Sequence, residues 1–214
     1  IYTYEAEDFE VQAINIKKLF YKYKARVAAI DANGLGAGLI DFMTKAQVDP
    51  ETGDELPPFG IEGGTSEDAI EPYKKIKGPG VEDNAIYLIK ANAPINTEAH
   101  AYVQTQLASG KIKFLIDEGQ AKVKLMSTKM GQQMDNDKRA DYLKPYTLTT
   151  ILREQMLNLE EENEGVKIIL KQASKSIKKD KFSAFEYGLY YIKQDEDKKK
   201  KRKKRNIADM MFYT

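Results

Sequence analysis

Short apolar runs alternate along this chain with segments of helical hydrophobic period, and this alternation most limits the folds available to it. The runs lie at 26–31, 84–90, 111–116 and 166–171. Short apolar runs followed by turn residues are typical of buried strands, and strands separated by helices predict an α/β fold. The sequence therefore predicts an α/β sandwich with helices on the faces of the sheet.

The segments between the runs are mostly amphipathic. Helical spacing of apolar residues predicts helices over 7–25 and 179–194, and Gly110 is expected to end a third helix. Pro145 is expected to break the helical pattern that surrounds it. Residues 45–83 carry Pro, Gly and acids without a sustained period, so they predict a long excursion that can hold a hairpin. The first residues, 1–5, alternate as the end of a strand would.

The composition excludes several kinds of site. The chain has 214 residues with no cysteine and a single histidine, His100, so disulfides, zinc–thiolate sites and polyhistidine sites are excluded. A metal would have to be held by oxygen ligands, which favours Mg²⁺ or Mn²⁺. The net charge of +1 points to no partner class. No apolar run approaches the length of about 18 residues that spans a bilayer.

Three aspartates lie where an α/β sheet places its functional groups. Asp31 and Asp117 end apolar runs, and Asp180 lies at the start of a helical pattern beyond a third run. Sites in open α/β sheets form at the carboxyl ends of strands. Carboxylates at such positions hold the divalent ions of phosphodiesterases, in which two ions about 4 Å apart activate a water and stabilise the leaving oxygen. The glycines at 34, 36 and 38 would let a polymer backbone approach.

Each of these features also has a structural interpretation. An aspartate at a strand end is often a turn former or a helix N-cap. The stretch NGLGAG lacks both the Lys-hydroxyl ending of a P-loop and the complete glycine pattern of a dinucleotide site. His100, inside a helical pattern, is expected to be a surface or packing residue and not a general base.

Charge is unevenly distributed near the carboxyl end. Residues 198–205 are eight consecutive basic residues, which form either a solvated tail or a group of phosphate contacts. LEEENE at 159–164 is interpreted as an acidic surface patch at a helix end that would repel nucleic acid.

Two motifs, in their order along the chain, resemble a known family. VAAIDANGLGAGLIDFM resembles the second acidic motif in the nuclease domain of the large subunit of tailed-phage terminases, where a strand ending in an acid precedes Asn, Gly and a helix. KKDKFSAFEYGLYYI resembles the last motif of the same domain, where an aspartate precedes a helix with small and aromatic residues. The helix over 7–25 and the run GKIKFLID fall in the same order, so the resemblance covers roughly residues 1–194.

The resemblance implies an RNase H-like fold, in which a mainly parallel and mixed sheet is flanked by helices. It also implies a metal-dependent endonuclease that cuts concatemeric viral DNA. It implies Mg²⁺ or Mn²⁺ as cofactor and double-stranded DNA, a portal protein and a small terminase subunit as partners, in the cytoplasm of a host cell. No Walker A pattern is present, so the ATPase motor of such a protein is not in this chain. The implied division is a nuclease domain over 1–194 and a basic carboxyl-terminal tail over 195–214.

By motif, Asp31 corresponds to the second acid and Asp180 to the third, and both are implied to ligate metal. Lys178, Lys179 and Lys181, beside Asp180, are candidate phosphate contacts or ordinary surface charges. The first acid of the family has no counterpart here, because the acids at 5, 7 and 8 lie too close to the first helix. The resemblance therefore places that acid, and the N-terminal strands that carry it, upstream of residue 1.

Two other classes of function remain open from the sequence. One is another RNase H-like nuclease, such as a resolvase or transposase, in which the acids keep their roles on branched DNA or transposon ends. The other is a non-catalytic DNA- or portal-binding module, in which the acids are only caps and turns.

Overall fold

The structure, a computed structural model, describes residues 1–3, 8–34, 36–165 and 167–211, without the side chains of Asn163 and of residues 202–211. It is a mixed α/β protein with a small parallel sheet flanked by helices. The helices are α1 (Phe9–Lys22), α2 (Gly36–Met43), α3 (Glu67–Ile70), α4 (Ala93–Ala108), α5 (Glu118–Met126), α6 (Lys129–Gln133), α7 (Asn136–Leu157) and α8 (Asp180–Met211). The strands are β1 (Ala28–Asp31), β2 (Gln47–Val48), β3 (Glu55–Leu56), β4 (Phe59–Gly64), β5 (Glu82–Ile89), β6 (Leu159–Glu164) and β7 (Lys167–Gln172).

The chain forms two compact units. One contains residues 4–102 and 186–214, and we call it the sheet unit; the other contains 1–3 and 103–185, and we call it the helical unit. Asp31 belongs to the sheet unit and Asp180 to the helical unit. The functional division into a nuclease domain over 1–194 and a tail over 195–214 stays a prediction.

The sheet unit is built on three parallel strands in the order β1–β5–β4. The last five residues of β5 are buried because a central strand has neighbours at both edges and helices on both faces. One face carries the side chains of Ile30, Ile86 and Leu88, which pack with residues of α1 and α2. The other face carries Tyr87 and Ile89, which pack with residues of α4 and α8. Alternation along β1 and β5 thus feeds two separate cores.

The predictions over 45–83 were partly confirmed. The hairpin is present, since β2 and β3 pair antiparallel. Strand β4 was missed, because its sequence FGIEGG is rich in glycine and has no apolar alternation. Its pairing with β5 includes two register shifts, near Gly60 and Glu62, so it is stabilised by a neighbour and not by a local pattern.

In the helical unit, three sequence predictions were wrong. Residues 111–116 form no strand, although KIKFLI alternates, and Ile116 packs instead against the core of α5 and α7. Pro145 lies inside α7 without ending it. LEEENE is not a helix end but strand β6, which pairs antiparallel with β7 over six residues. Residues 1–3 form no strand. Residues 4 and 5 of the strand predicted at 1–5, and also Glu7, lie outside the described residues.

Candidate functional site

Asp31 lies where its motif predicted, at the last position of β1. The strand is four residues long and pairs in parallel with β5, so that Asp31 is beside Ile89. The amide of Ala32 donates to the carbonyl oxygen of Ile89 at 2.9 Å, which continues the ladder one residue beyond the strand. The carboxylate of Asp31 is therefore exposed at the carboxyl edge of a parallel sheet, the edge at which α/β proteins bind ligands.

The turn after β1 orients this carboxylate. The amide of Asn33 donates to Oδ1 of Asp31 at 2.9 Å, so Asp31 forms an Asx turn. The side-chain amide of Asn33 also donates to the carbonyl oxygen of Ala91 at 3.4 Å. Asn33 therefore links the end of β1 to the segment that follows β5.

The three glycines of this turn have reasons within the fold. Gly34 has a φ of +55°, which favours glycine. A Cβ on Gly36 would lie 1.7 Å from the carbonyl oxygen of Asp31, and a Cβ on Gly38 would lie 2.6 Å from the ring of Phe9. These contacts account for the glycines, so the pattern carries no argument for the approach of a polymer backbone.

The neighbouring strand ends are also joined by hydrogen bonds. The amide of Lys90 donates to Oγ1 of Thr65 at 2.8 Å, and that hydroxyl donates to the carbonyl oxygen of Lys90 at 3.2 Å. The charge of Asp31 acts on the phenol group of Tyr187, which lies on α8. Burial, and next the charge of Asp31, raise the pKa of Tyr187 to about 12. Side-chain hydrogen bonds of Thr65 and Asn33 thus join the strand ends at the edge that carries Asp31.

Asp180 begins α8 and is exposed, as are Lys178 and Lys179, whereas Lys181 is half-buried. The helix start is anchored in the helical unit, where the amide of Phe182 donates to Oε1 of Gln155 at 3.0 Å. The predicted position of Asp180 at a helix start is confirmed. Its role as a ligand, together with the phosphate contacts of the three lysines, stays a prediction.

Asp117 is a helix cap. Its Oδ1 accepts a hydrogen bond from the amide of Gly119 at 2.8 Å, and it is the N-cap of α5. The hydroxyl of Thr150 lies 3.5 Å from Oδ2 of Asp117. Both oxygens thus have partners within the fold, which confirms the structural interpretation of this residue.

His100 is buried on α4, with its Nδ1 3.4 Å from Oε1 of Glu186 on α8. Both residues belong to the sheet unit. The interpretation of His100 as a packing residue is confirmed.

A metal site is not assembled in the part of the chain that the structure describes, because no three acidic or histidine side chains there are grouped to hold an ion. Within the same residues, no helix combines the length and the apolarity needed to cross a membrane.

The sequence interpretation missed a cleft at the other end of the sheet, where Arg26 meets residues of α8. Its partners Arg26 and Asp195 are 169 residues apart, so no local pattern joins them. The only signal was the spacing of Asp195 and Lys199, because an acid four residues before a lysine on a helix forms an ion pair.

Comparisons of the chain with models of protein families, with curated proteins and with solved structures found no match.

Proposed function

We propose that this chain is the nuclease part of a viral DNA-packaging terminase, a metal-dependent endonuclease that cuts concatemeric DNA. The observation that carries the proposal is the position of Asp31. It is an exposed carboxylate at the carboxyl end of a parallel strand, directly beside the buried central strand. That is where the resemblance to the second terminase motif places a metal ligand.

Asp31 suits the chemistry of a Mg²⁺ or Mn²⁺ ligand. Both ions take hard oxygen donors. The Asn33 amide uses one acceptor position of the Asp31 carboxylate, which has about four, so ligation and the Asx turn are compatible. When bound, such ions activate a water and stabilise the leaving oxygen of a phosphodiester. In this chain Asp31 would hold the ion, and the link from Asn33 to Ala91 would keep the carboxylate in place.

The roles proposed for the other residues rest on the resemblance to the motif alone. Asp180 would be a second ligand, and Lys178, Lys179 and Lys181 would contact phosphate. The first acid of the family has no assigned residue in this proposal. DNA, the portal protein and the small terminase subunit would be the partners, in the host cytoplasm.

Plasmid cleavage in Mn²⁺, with EDTA as the control, tests this function. The assay compares this chain with a form extended toward its N-terminus, each with Asp31→Asn and Asp180→Asn. We expect each substitution to lower the cleavage rate by at least about a hundredfold, or about 2.7 kcal/mol in barrier height. The matched control is Asp117→Asn, which removes the same charge from a residue that caps a helix and should cleave normally.

Asparagine at position 31 can still accept the Asn33 amide, so the fold should persist and circular dichroism should be unchanged. Normal cleavage by a folded Asp31→Asn protein would refute the role of Asp31. Normal cleavage by a folded Asp180→Asn protein would refute only that of Asp180.

A second candidate is a non-catalytic DNA- or portal-binding module. It is favoured by the hydrogen bond from the Asn33 amide to Asp31, since this bond by itself gives the carboxylate a structural role. Titration with Mn²⁺ separates the two candidates. A ligand site should raise the free energy of unfolding by a few kcal/mol at an ion concentration about a hundred times the Kd, and Asp31→Asn should remove that gain. A module whose acids are only turns and caps should show no gain.

A further inference from the structure

The amino-terminal edge of the three-stranded sheet carries a cleft of about 460 Å³. Asp31 lies at the opposite, carboxyl end of β1, so the cleft is separate from the candidate site. Most of its charged lining residues belong to α8. The others are Arg26, which precedes β1, and Glu62 of β4. The residues that matter for its chemistry are Arg26, Glu62, Tyr191, Asp195, Lys198 and Lys199.

Asp195 is the shared partner of two cations in this cleft. Its Oδ2 lies 2.7 Å from a guanidinium nitrogen of Arg26 and 2.7 Å from Nζ of Lys199. The same guanidinium donates to the hydroxyl of Tyr191 at 3.0 Å. The Asp195 side chain is 17% exposed, whereas those of Arg26 and Lys199 are 61% and 63% exposed. The carboxylate of Asp195 therefore lies beneath the two cations that it pairs with, and both cations face solvent.

Lys198 repeats this arrangement. Its Nζ lies 3.5 Å from Oε1 of Glu62, and its side chain is 49% exposed against 20% for Glu62. Its ammonium also lies 5.5 Å from the ring centre of Tyr87. We call Arg26, Lys198 and Lys199 the cationic rim. Because every acid that pairs with the rim is more buried than its partner, the surface offered to a ligand is positive.

The rim continues into the basic run of α8. Lys198 is the first of the eight consecutive basic residues 198–205, and α8 runs on to Met211. Acids immediately before the run pair with its first members, since Lys200 lies 3.5 Å from Asp197. No acid follows until Asp209. Positive charge thus accumulates along the helix beyond the rim.

Duplex DNA carries a density of negative charge that suits this positive surface. Eight helical residues extend over about 12 Å. A duplex carries one phosphate charge per about 1.7 Å, so the same length presents about seven charges. The run 198–205 contains no apolar residue, whereas a helix that lies in a membrane surface needs an apolar face.

We infer that the cationic rim, continued along α8 by Lys200 and Lys201, binds the phosphate backbone of duplex DNA. The choice of DNA rests on the proposed function. The surface itself acts in binding and positioning the polymer, and it takes no part in the hydrolysis.

Fluorescence anisotropy with a labelled duplex of about 30 base pairs tests this surface. EDTA is present throughout, so binding is measured without cleavage. The test variant is Arg26→Gln/Lys198→Gln/Lys199→Gln. Each lost phosphate contact should reduce the magnitude of the negative slope of log K against log salt by about 0.9. The magnitude of the slope should therefore fall by about 2.7, and the affinity at about 100 mM KCl by tenfold or more.

Two controls separate local contacts from net charge and from misfolding. Lys122→Gln/Lys124→Gln/Lys129→Gln removes the same charge from exposed lysines of the helical unit and should bind nearly as the unaltered chain does. Lys198→Gln/Lys199→Gln keeps the contacts of Arg26 with Asp195 and Tyr191, so it tests the rim if the triple variant does not fold. The magnitude of its slope should fall by about 1.8.

Three outcomes would overturn the inference. The first is an unchanged salt slope in a folded rim variant. The second is an equal loss of DNA affinity in the control that replaces Lys122, Lys124 and Lys129. The third is tighter binding to vesicles with about 30% phosphatidylserine than to DNA. Because cleavage is not measured, the two proposals fail separately. Binding through the rim without any metal-dependent cleavage would refute the nuclease alone, and cleavage with unchanged binding in the rim variant would refute the rim alone.

Discussion

The ammonium nitrogen of Lys17 lies 2.6 Å from the carbonyl oxygen of Lys45. It also donates to the carbonyl oxygen of Pro57 at 2.9 Å. Lys17 is on α1 and fully buried, next to the ring of Phe59. A single lysine thus joins α1 to both ends of the segment that carries the β2–β3 hairpin.

This position makes stability depend on pH. Burial lowers the pKa of Lys17 from 10.5 to about 8. Between these values the unfolded chain binds more protons than the folded chain, so the contribution of Lys17 to the free energy of unfolding rises with pH. Raising the pH from about 7 to about 10 should add about 2.5 kcal/mol through this residue. The neutral amine retains two donors, so both carbonyls stay paired.

Urea unfolding of the unaltered chain and of Lys17→Met at both pH values measures this contribution. The difference in free energy of unfolding between the two proteins should change by about 2.5 kcal/mol in favour of the unaltered chain as the pH rises. Other titrating groups cancel in the comparison. A difference that does not vary with pH would mean that Lys17 is charged or neutral to the same extent in both states.

Gly36 is expected to be essential for the shape of the Asp31 turn. A Cβ there would meet the Asp31 carbonyl oxygen at 1.7 Å, and backbone must move to relieve the clash. We expect Gly36→Ala to lower the free energy of unfolding by about 1–3 kcal/mol or more. The matched control is Gly188→Ala inside α8, where nothing lies within 4 Å of the added Cβ and helix propensity favours alanine by up to about 1 kcal/mol.

Thermal melting of the two proteins decides this point. Opposite shifts of Tm, downward for Gly36→Ala and level or upward for Gly188→Ala, are expected. A Tm for Gly36→Ala at or above that of the unaltered chain would show that the turn adopts another conformation.

Asp117 should matter for stability and not for catalysis. Asp117→Ala removes the N-cap of α5 and should cost about 1 kcal/mol, whereas Asp117→Asn keeps an acceptor for the Gly119 amide and should cost less. Chemical unfolding measures both costs, and plasmid cleavage is expected to stay at the level of the unaltered chain. Loss of cleavage in a folded Asp117→Asn protein would contradict the capping role and return this residue to the candidate site.

Local pattern was informative where the apolar residues of an element itself mark the surfaces that it buries. The helical period of α1, the short apolar run of β1 and the run of β5 each predicted the observed element, because their neighbours lie on the faces that the period marks. The motif likewise predicted Asp31 at a strand end and Asp180 at a helix start. These positions depend only on residues adjacent in the chain.

Local pattern failed where a partner distant in sequence decides which structure a segment adopts. The alternation at 111–116 suits a strand, yet a strand needs a neighbour to take its hydrogen bonds, and Phe114 packs against the ring of Phe185 instead. LEEENE resembled a solvated helix end, but β7 supplies a partner for each of its residues. Pro145 is retained in α7 because the surrounding helix is held by packing of Leu143 and Leu152.

The sequence by itself determined the α/β class, the two core-forming periods of the sheet unit and the place of Asp31 at a strand end. Only the tertiary structure decided that β4 pairs with β5, that Asp117 is a cap, and that Arg26 and Lys199 share Asp195. The physical reason is the distance along the chain over which each kind of interaction acts. Hydrophobic period and turn chemistry act between neighbours in the chain, whereas strand pairing and the burial of a shared carboxylate require segments that meet only after the chain has folded.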